Sequence, residues 1–86
     1  MLRISVIESS DNAVTLRVEG RIIDAWVGEL RESCERILAK GYRLTLDLAG
    51  VWFIDREAIT LLWNLKERPV SFTNCSQFVA GQLKSP

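Results

Sequence analysis

Leu44-Thr-Leu-Asp-Leu-Ala-Gly-Val-Trp-Phe-Ile-Asp-Arg-Glu-Ala-Ile-Thr-Leu-Leu-Trp-Asn-Leu65 is the stretch that decides the fold. Leu44, Leu46 and Leu48 fall on one side and Thr45 and Asp47 on the other, the period of a strand with one buried face. Gly50 interrupts, and the apolar segment Val51-Trp52-Phe53-Ile54 reads as a short loop. Asp55 then stands where a helix N-cap belongs, its carboxylate available to a free backbone N–H of the first turn. From Ala58 the period becomes helical, with Ala58, Leu61, Leu62 and Leu65 on one stripe. In open α/β sheets, sites form at the carboxyl ends of strands, and this loop lies at such an end.

The flanking segments repeat the theme. Leu2, Ile4 and Val6 alternate with Arg3 and Ser5, and Val14, Leu16 and Val18 alternate with Thr15, Arg17 and Glu19. The polar turn Glu8–Asn12 joins them as an antiparallel hairpin. Gly20 is expected to end the second strand, Arg21-Ile22-Ile23 to cross over, and Asp24 to cap a helix. That helix buries Val27, Leu30, Cys34, Ile37 and Leu38 and stops at Lys40-Gly41. Beyond the central stretch, Pro69 ends the second helix and Val70 and Phe72 mark a fourth strand. Asn74-Cys75-Ser76 turns into a last helix carrying Phe78, Val79 and Leu83.

The order β-β-α-β-α-β-α predicts a two-layer α/β domain spanning residues 1–86, with a four-stranded mixed sheet ordered 1-2-3-4. Right-handed crossovers between parallel strands place all helices on one face. One-sided strand patterns agree, since a sheet covered on both faces would show continuous apolar runs. The uncovered face is expected to carry Arg3, Ser5, Thr15, Arg17, Thr45 and Asp47. All helices would start at one edge, gathering Asp24, Asp55 and Ser76.

Composition narrows the chemistry. Lys+Arg and Asp+Glu balance at 11 each in 86 residues, which argues against nucleic acid or an anionic membrane as partner. Two cysteines at unrelated spacing, with no histidine, form neither a zinc site nor a redox pair, and no cofactor is implied. The chain enters a strand pattern at once, without a signal-peptide run or a membrane-spanning stretch, so a cytoplasmic location is expected. Ser-His and Cys-His nucleophiles are impossible within the chain. Asp24 and Asp55 read either as a carboxylate pair or as two caps, and their positions favour caps. Cys34 falls on a buried stripe; Cys75 precedes a helix start, where the dipole can lower a thiol pKa, though an inert turn residue is the better reading. No glycine-rich phosphate loop is present. The chain is expected not to be an enzyme.

Three tryptophans carry more information. Trp26 borders the first helix stripe, Trp52 precedes Asp55, and Ile59 and Trp63 lie four apart on the second helix, displaced from its apolar centre. Such positions form either the rim of the core or a contact patch, tryptophan being enriched at interface hot spots.

Leu16-Arg-Val-Glu-Gly-Arg-Ile-Ile-Asp24 followed by a helix resembles the second strand and first helix of STAS domains. That family comprises bacterial anti-sigma factor antagonists and the cytoplasmic domains of sulfate transporters. Leu44–Asp55 is similar to its most recognisable segment, and Asn74–Leu83 to its ending. The resemblance implies the STAS fold and non-catalytic protein binding, often to an anti-sigma factor of the serine-kinase ATPase type. In antagonists of that type, the kinase phosphorylates a serine at the start of the second helix and so switches binding off.

The switch motif departs from the family. Asp-Ser-Ser/Thr-Gly becomes Asp55-Arg56-Glu57-Ala58, with Arg56 at the phosphoacceptor position and the nearest hydroxyl, Thr60, a turn further in. The expected partner-binding set is therefore Asp24, Trp52, Asp55, Arg56, Glu57, Ile59 and Trp63, in a domain that binds without a phosphorylation switch. Two other roles belong to the same resemblance: a small STAS subunit of a membrane transporter complex, paired with an ATPase subunit, and a nucleotide-binding module.

Overall fold

The computed structural model describes residues 1–84. The element order is β1 (Leu2–Ser9), β2 (Ala13–Ile22), α1 (Ala25–Ala39), β3 (Arg43–Ile54), α2 (Arg56–Lys66), β4 (Val70–Thr73) and α3 (Gln77–Lys84). The four strands form one sheet in the order β1-β2-β3-β4. β1 is antiparallel to β2, and β2, β3 and β4 run parallel. This is the expected α/β architecture. Apolar residues of β2 and β3 (Leu16, Val18, Leu44, Leu46, Leu48) join Val27, Leu30 and Cys34 of α1, Leu61 and Leu62 of α2, and Val79 of α3 in a single buried cluster. Ile37 and Leu38, expected in that core, are only partly buried at its margin.

β3 is longer than its sequence pattern suggests. Val51–Ile54 is not a loop but the end of the strand, paired with the end of β2. Two irregularities hide it. Arg17 faces Asp47 while Glu19 faces Gly50, and Gly20 faces Val51 while Arg21 faces Phe53, so β3 twice takes one residue more than β2. Each insertion of this kind shifts the side-chain parity of a strand. The buried positions accordingly run Leu48, Val51, Ile54, three apart instead of two.

β2 likewise continues past Gly20 to Ile22. Gly20 has φ +108°, and a Cβ there would run into the Met1 carbonyl oxygen. The glycine marks a bend within the strand and not its end. Gly41, at φ +87°, follows the Lys40 C-cap of α1 as expected. Arg68, after α2, reaches back to Glu35 of α1 with two hydrogen bonds of 2.9 and 3.2 Å.

The uncovered face departs from expectation at one residue. Ser5, Arg17, Asp47 and Thr73 form one row across the sheet. Asp47 is nevertheless 6% exposed. Its Oδ1 accepts from Ala49 N (3.1 Å) and Asn74 Nδ2 (3.2 Å), and Arg17 lies 3.5 Å from Oδ2. Asn74 holds φ +57° in the turn after β4. Asp47 thus pins the turn that leads into α3. A buried carboxylate is tolerated because each oxygen has a donor.

Leu46 and Leu62 are both fully buried in the common cluster. Either one changed to alanine is expected to cost about 2–5 kcal/mol, read from urea unfolding curves. A loss under about 1 kcal/mol at both positions would mean that this face is not the core.

The Asp47 carboxyl is held below the ordinary carboxylate range by the Ala49 N–H bond, then by Asn74, with Arg17 adding to them against desolvation. A depressed folded-state pKa gives stability that is present above the unfolded value of about 3.9 and is lost as pH falls through the folded value. Asp47→Asn should therefore reduce the decline of the urea midpoint on acidification below about pH 4. A midpoint-versus-pH curve parallel to that of the wild type would contradict this role.

Candidate functional site

Asp55 connects the two turns at the carboxyl ends of β2 and β3. Its Oδ1 accepts from Ala58 N at 2.9 Å, capping α2. Its Oδ2 accepts from Asp24 N at 3.0 Å, in the turn before α1. Its backbone N–H donates to Ile22 O (3.2 Å), closing the β2–β3 ladder. One carboxylate therefore caps its own helix and ties down the neighbouring turn.

Asp24 does not cap α1 with its side chain, contrary to expectation. It adopts φ 51°, ψ −129°, in a turn closed by Trp26 N to Ile23 O at 3.0 Å. This resembles the first central position of a type II′ turn, a place glycine fills at no steric cost. In this conformation the N–H of Asp24 reaches Asp55 while its own exposed carboxylate makes no cap. The two aspartates come together as expected, but only Asp55 acts as a cap. Ser76 caps α3, accepting from Val79 N at 3.1 Å.

Neither cysteine is primed for chemistry. Burial, helped by Glu35, pushes the Cys34 thiol up to about 12. Desolvation also raises Cys75, only partly opposed by Lys66, in keeping with an inert turn residue.

The apolar surface at this edge differs from the expected one. Trp52 sits at the second irregularity of β3 and is 65% exposed, with the Arg21 guanidinium 5.5 Å from its ring centroid. Phe53, also exposed, stacks on Phe78 of α3 at 6.3 Å between centroids. These phenylalanines were missed because Val51–Ile54 read as a loop and Phe78 as part of the α3 stripe. Ile59 and Trp63 are half-buried. The indole N–H of Trp63 donates to Leu83 O at 2.9 Å, so this ring anchors the end of α3. Arg56 and Glu57 are exposed in the first turn of α2. The Thr60 hydroxyl donates to the Arg56 carbonyl at 3.2 Å.

Two open hollows of about 480 and 490 Å³ lie away from the two aspartates. One is at the amino ends of β3 and β4 beside Arg43 and Ser71; the other borders Trp63 and Leu83. Neither borders Asp24 or Asp55. Among the described residues no group of three or more His, Cys, Asp or Glu could hold a metal ion, and no helix is long and apolar enough to cross a membrane.

Asp55→Ala should destabilise the domain by about 0.5–2 kcal/mol, the range for a lost N-cap. Asp24→Gly should be neutral or stabilising by up to about 1 kcal/mol, because it relieves a positive φ at an unchanged backbone. Thermal melts of both variants check the pair; a marked loss at Asp24→Gly would show that its carboxylate carries a stabilising contact.

The chain is similar in structure to two solved proteins. An anti-sigma factor antagonist from Mycobacterium paratuberculosis matches with a TM-score of 0.69 at 21% identity, over 84% of this chain. This chain covers 64% of that protein's length. The anti-sigma factor antagonist SpoIIAA in its unphosphorylated form matches with a TM-score of 0.72 at 14% identity, over 92% of this chain and 79% of the other. At these identities the likeness establishes the fold. No curated protein matches the sequence significantly. The family model of the STAS domain matches residues 5–70, well over half of the sequence. With the fold and the sequence model in agreement, this chain belongs to the STAS domain family.

Proposed function

We propose that this chain is a non-catalytic binding domain of the anti-sigma factor antagonist kind, engaging an anti-sigma factor of the serine-kinase ATPase type. The observation that carries the reading is the Asp55 clamp. It holds the β2–α1 and β3–α2 turns side by side and leaves Trp52, Arg56 and Glu57 exposed around them. Asp24 and Asp55 shape the surface, Trp52 is its apolar anchor, and Arg56 and Glu57 supply charged contacts. Ile59 and Trp63 contribute only the edges that the core leaves uncovered.

The surface operates without the family's phosphorylation switch. Arg56 occupies the acceptor position and cannot take a phosphate. Its charge is opposite to the roughly two negative charges that phosphorylation would add, so it does not imitate the modified state. Glu57 lies one residue on, about 100° around the helix. The Thr60 hydroxyl is engaged by the backbone of its own helix. Binding is then governed by abundance or by the partner's nucleotide state.

Incubation with the cognate kinase and ATP, followed by intact-mass spectrometry, should leave the mass unchanged and the complex intact. Trp52→Ala should weaken the complex by more than about 2 kcal/mol in calorimetric titration while shifting the melting temperature little. One added phosphate, mapped to Thr60 and coupled to release of the partner, would mean that the switch has moved within α2. Undiminished binding by Trp52→Ala would exclude this edge as the contact surface.

A further inference from the structure

Among the described residues, β1 forms one lateral edge of the sheet and pairs only with β2. Natural edges are blunted by short length, charge (lysine above all), proline, inward-facing charge or a bulge. β4, on the other side, is four residues long. β1 has eight residues and contains neither lysine nor proline; what interrupts it is the bulge between Val6 and Glu8, with regular pairing from Leu2 to Val6 before it. Val6 points to the helix-bearing face, opposite Leu16, yet is 61% exposed.

The side chains of β1 are also self-complementary. Ile7 is an extra residue between Val6 and Glu8, so Glu8 lies opposite Thr15 on the uncovered face. Arg3, opposite Glu19, and Ser5, opposite Arg17, share that face. Leu2, Ile4 and Val6 share the other, opposite Gly20, Val18 and Leu16. Consider a second copy added antiparallel about a two-fold axis through Ser5, with Ile7 left out of the new ladder as it is left out of the pairing with β2. Arg3 then faces Glu8 of the second copy, Ile4 faces its Val6, and Ser5 faces Ser5, with every pair on matching faces. Without the insertion at Ile7, Glu8 would fall on the helix-bearing face and the charges would miss one another.

We propose that β1 is a homodimerisation edge, joining two copies into a continuous eight-stranded sheet. The charge match between Arg3 and Glu8 and the burial of Val6 against Ile4 name the occupant as this same chain. Dimerisation occurs along the β1 side and leaves the carboxyl ends of β2 and β3 open, so it is independent of the partner-binding reading. An edge-strand contact is small, and the dimer is expected to be weak and reversible.

Sedimentation equilibrium across the micromolar to millimolar range tests it on the intact chain. A reversible monomer–dimer equilibrium is expected. Arg3→Glu or Glu8→Arg alone turns two attractive cross-strand pairs per dimer into repulsive ones and should raise the dissociation constant about tenfold. The double reversal should restore dimerisation to within about threefold of the wild type. Both side chains are exposed, and Glu8 faces only Thr15 in its own chain, so Glu8→Arg is the variant that disturbs the monomer less. Melting curves confirm that each variant is folded. A chain that stays monomeric at millimolar concentration overturns the proposal. So does a dimer indifferent to the single reversals, or a double reversal as weak as the singles.

Discussion

The geometry of the helix-starting edge depends on the two oxygens of one carboxylate. Each βα turn leaves free N–H groups at the start of its helix, and each needs an acceptor. Asp55 supplies one to its own helix through Oδ1 and one to the neighbouring turn through Oδ2. The second bond requires the Asp24 N–H to point sideways along the sheet edge. That orientation comes with the unusual positive φ of Asp24. Local backbone strain is therefore sustained by a contact from a different part of the chain. Remove the carboxylate, and both the cap and the lateral tie disappear together.

Much of this was legible in the sequence because one-sided strand patterns leave few arrangements. Apolar residues on alternate positions of β1, β2 and the first half of β3 specify a sheet with one covered face, and the handedness of crossovers then places the helices. The Asp55 cap was readable because a carboxylate preceding a helical stripe has one obvious use. The end of β3 was not, for a definite reason. Periodicity arguments assume one residue per pleat, and β3 twice inserts a residue against β2. Alternation is lost exactly where pairing continues, so Val51–Ile54 looks like a loop. Gly20 misled in the same way, because a glycine that bends a strand and a glycine that ends one look alike in sequence.

The candidate site was legible in position more than in composition. The sequence placed it at the carboxyl ends of β2 and β3, where the aspartates meet. Its apolar part required the tertiary structure. Phe53 and Phe78 are 25 residues apart by sequence number and stack only because α3 returns beside β3. Trp63 looked like the rim of a stripe, and only the docking of α3 reveals that its indole N–H has a partner in Leu83. Asp47 followed the polar alternation correctly, yet it is buried and bonded to Asn74, from a turn no periodicity describes.

The division of labour at the start of α2 has an evolutionary consequence. The cap is carried by Asp55, while the next two side chains are exposed and, among the described residues, form no hydrogen bond or ion pair. A change at position 56 or 57 can therefore alter what the start of α2 presents to solvent without the scaffold having to be rebuilt around it. Selection on folding and selection on the exposed surface act on adjacent but separate residues. A STAS scaffold of this construction can drift in the chemistry of its helix-starting edge while its architecture stays the same.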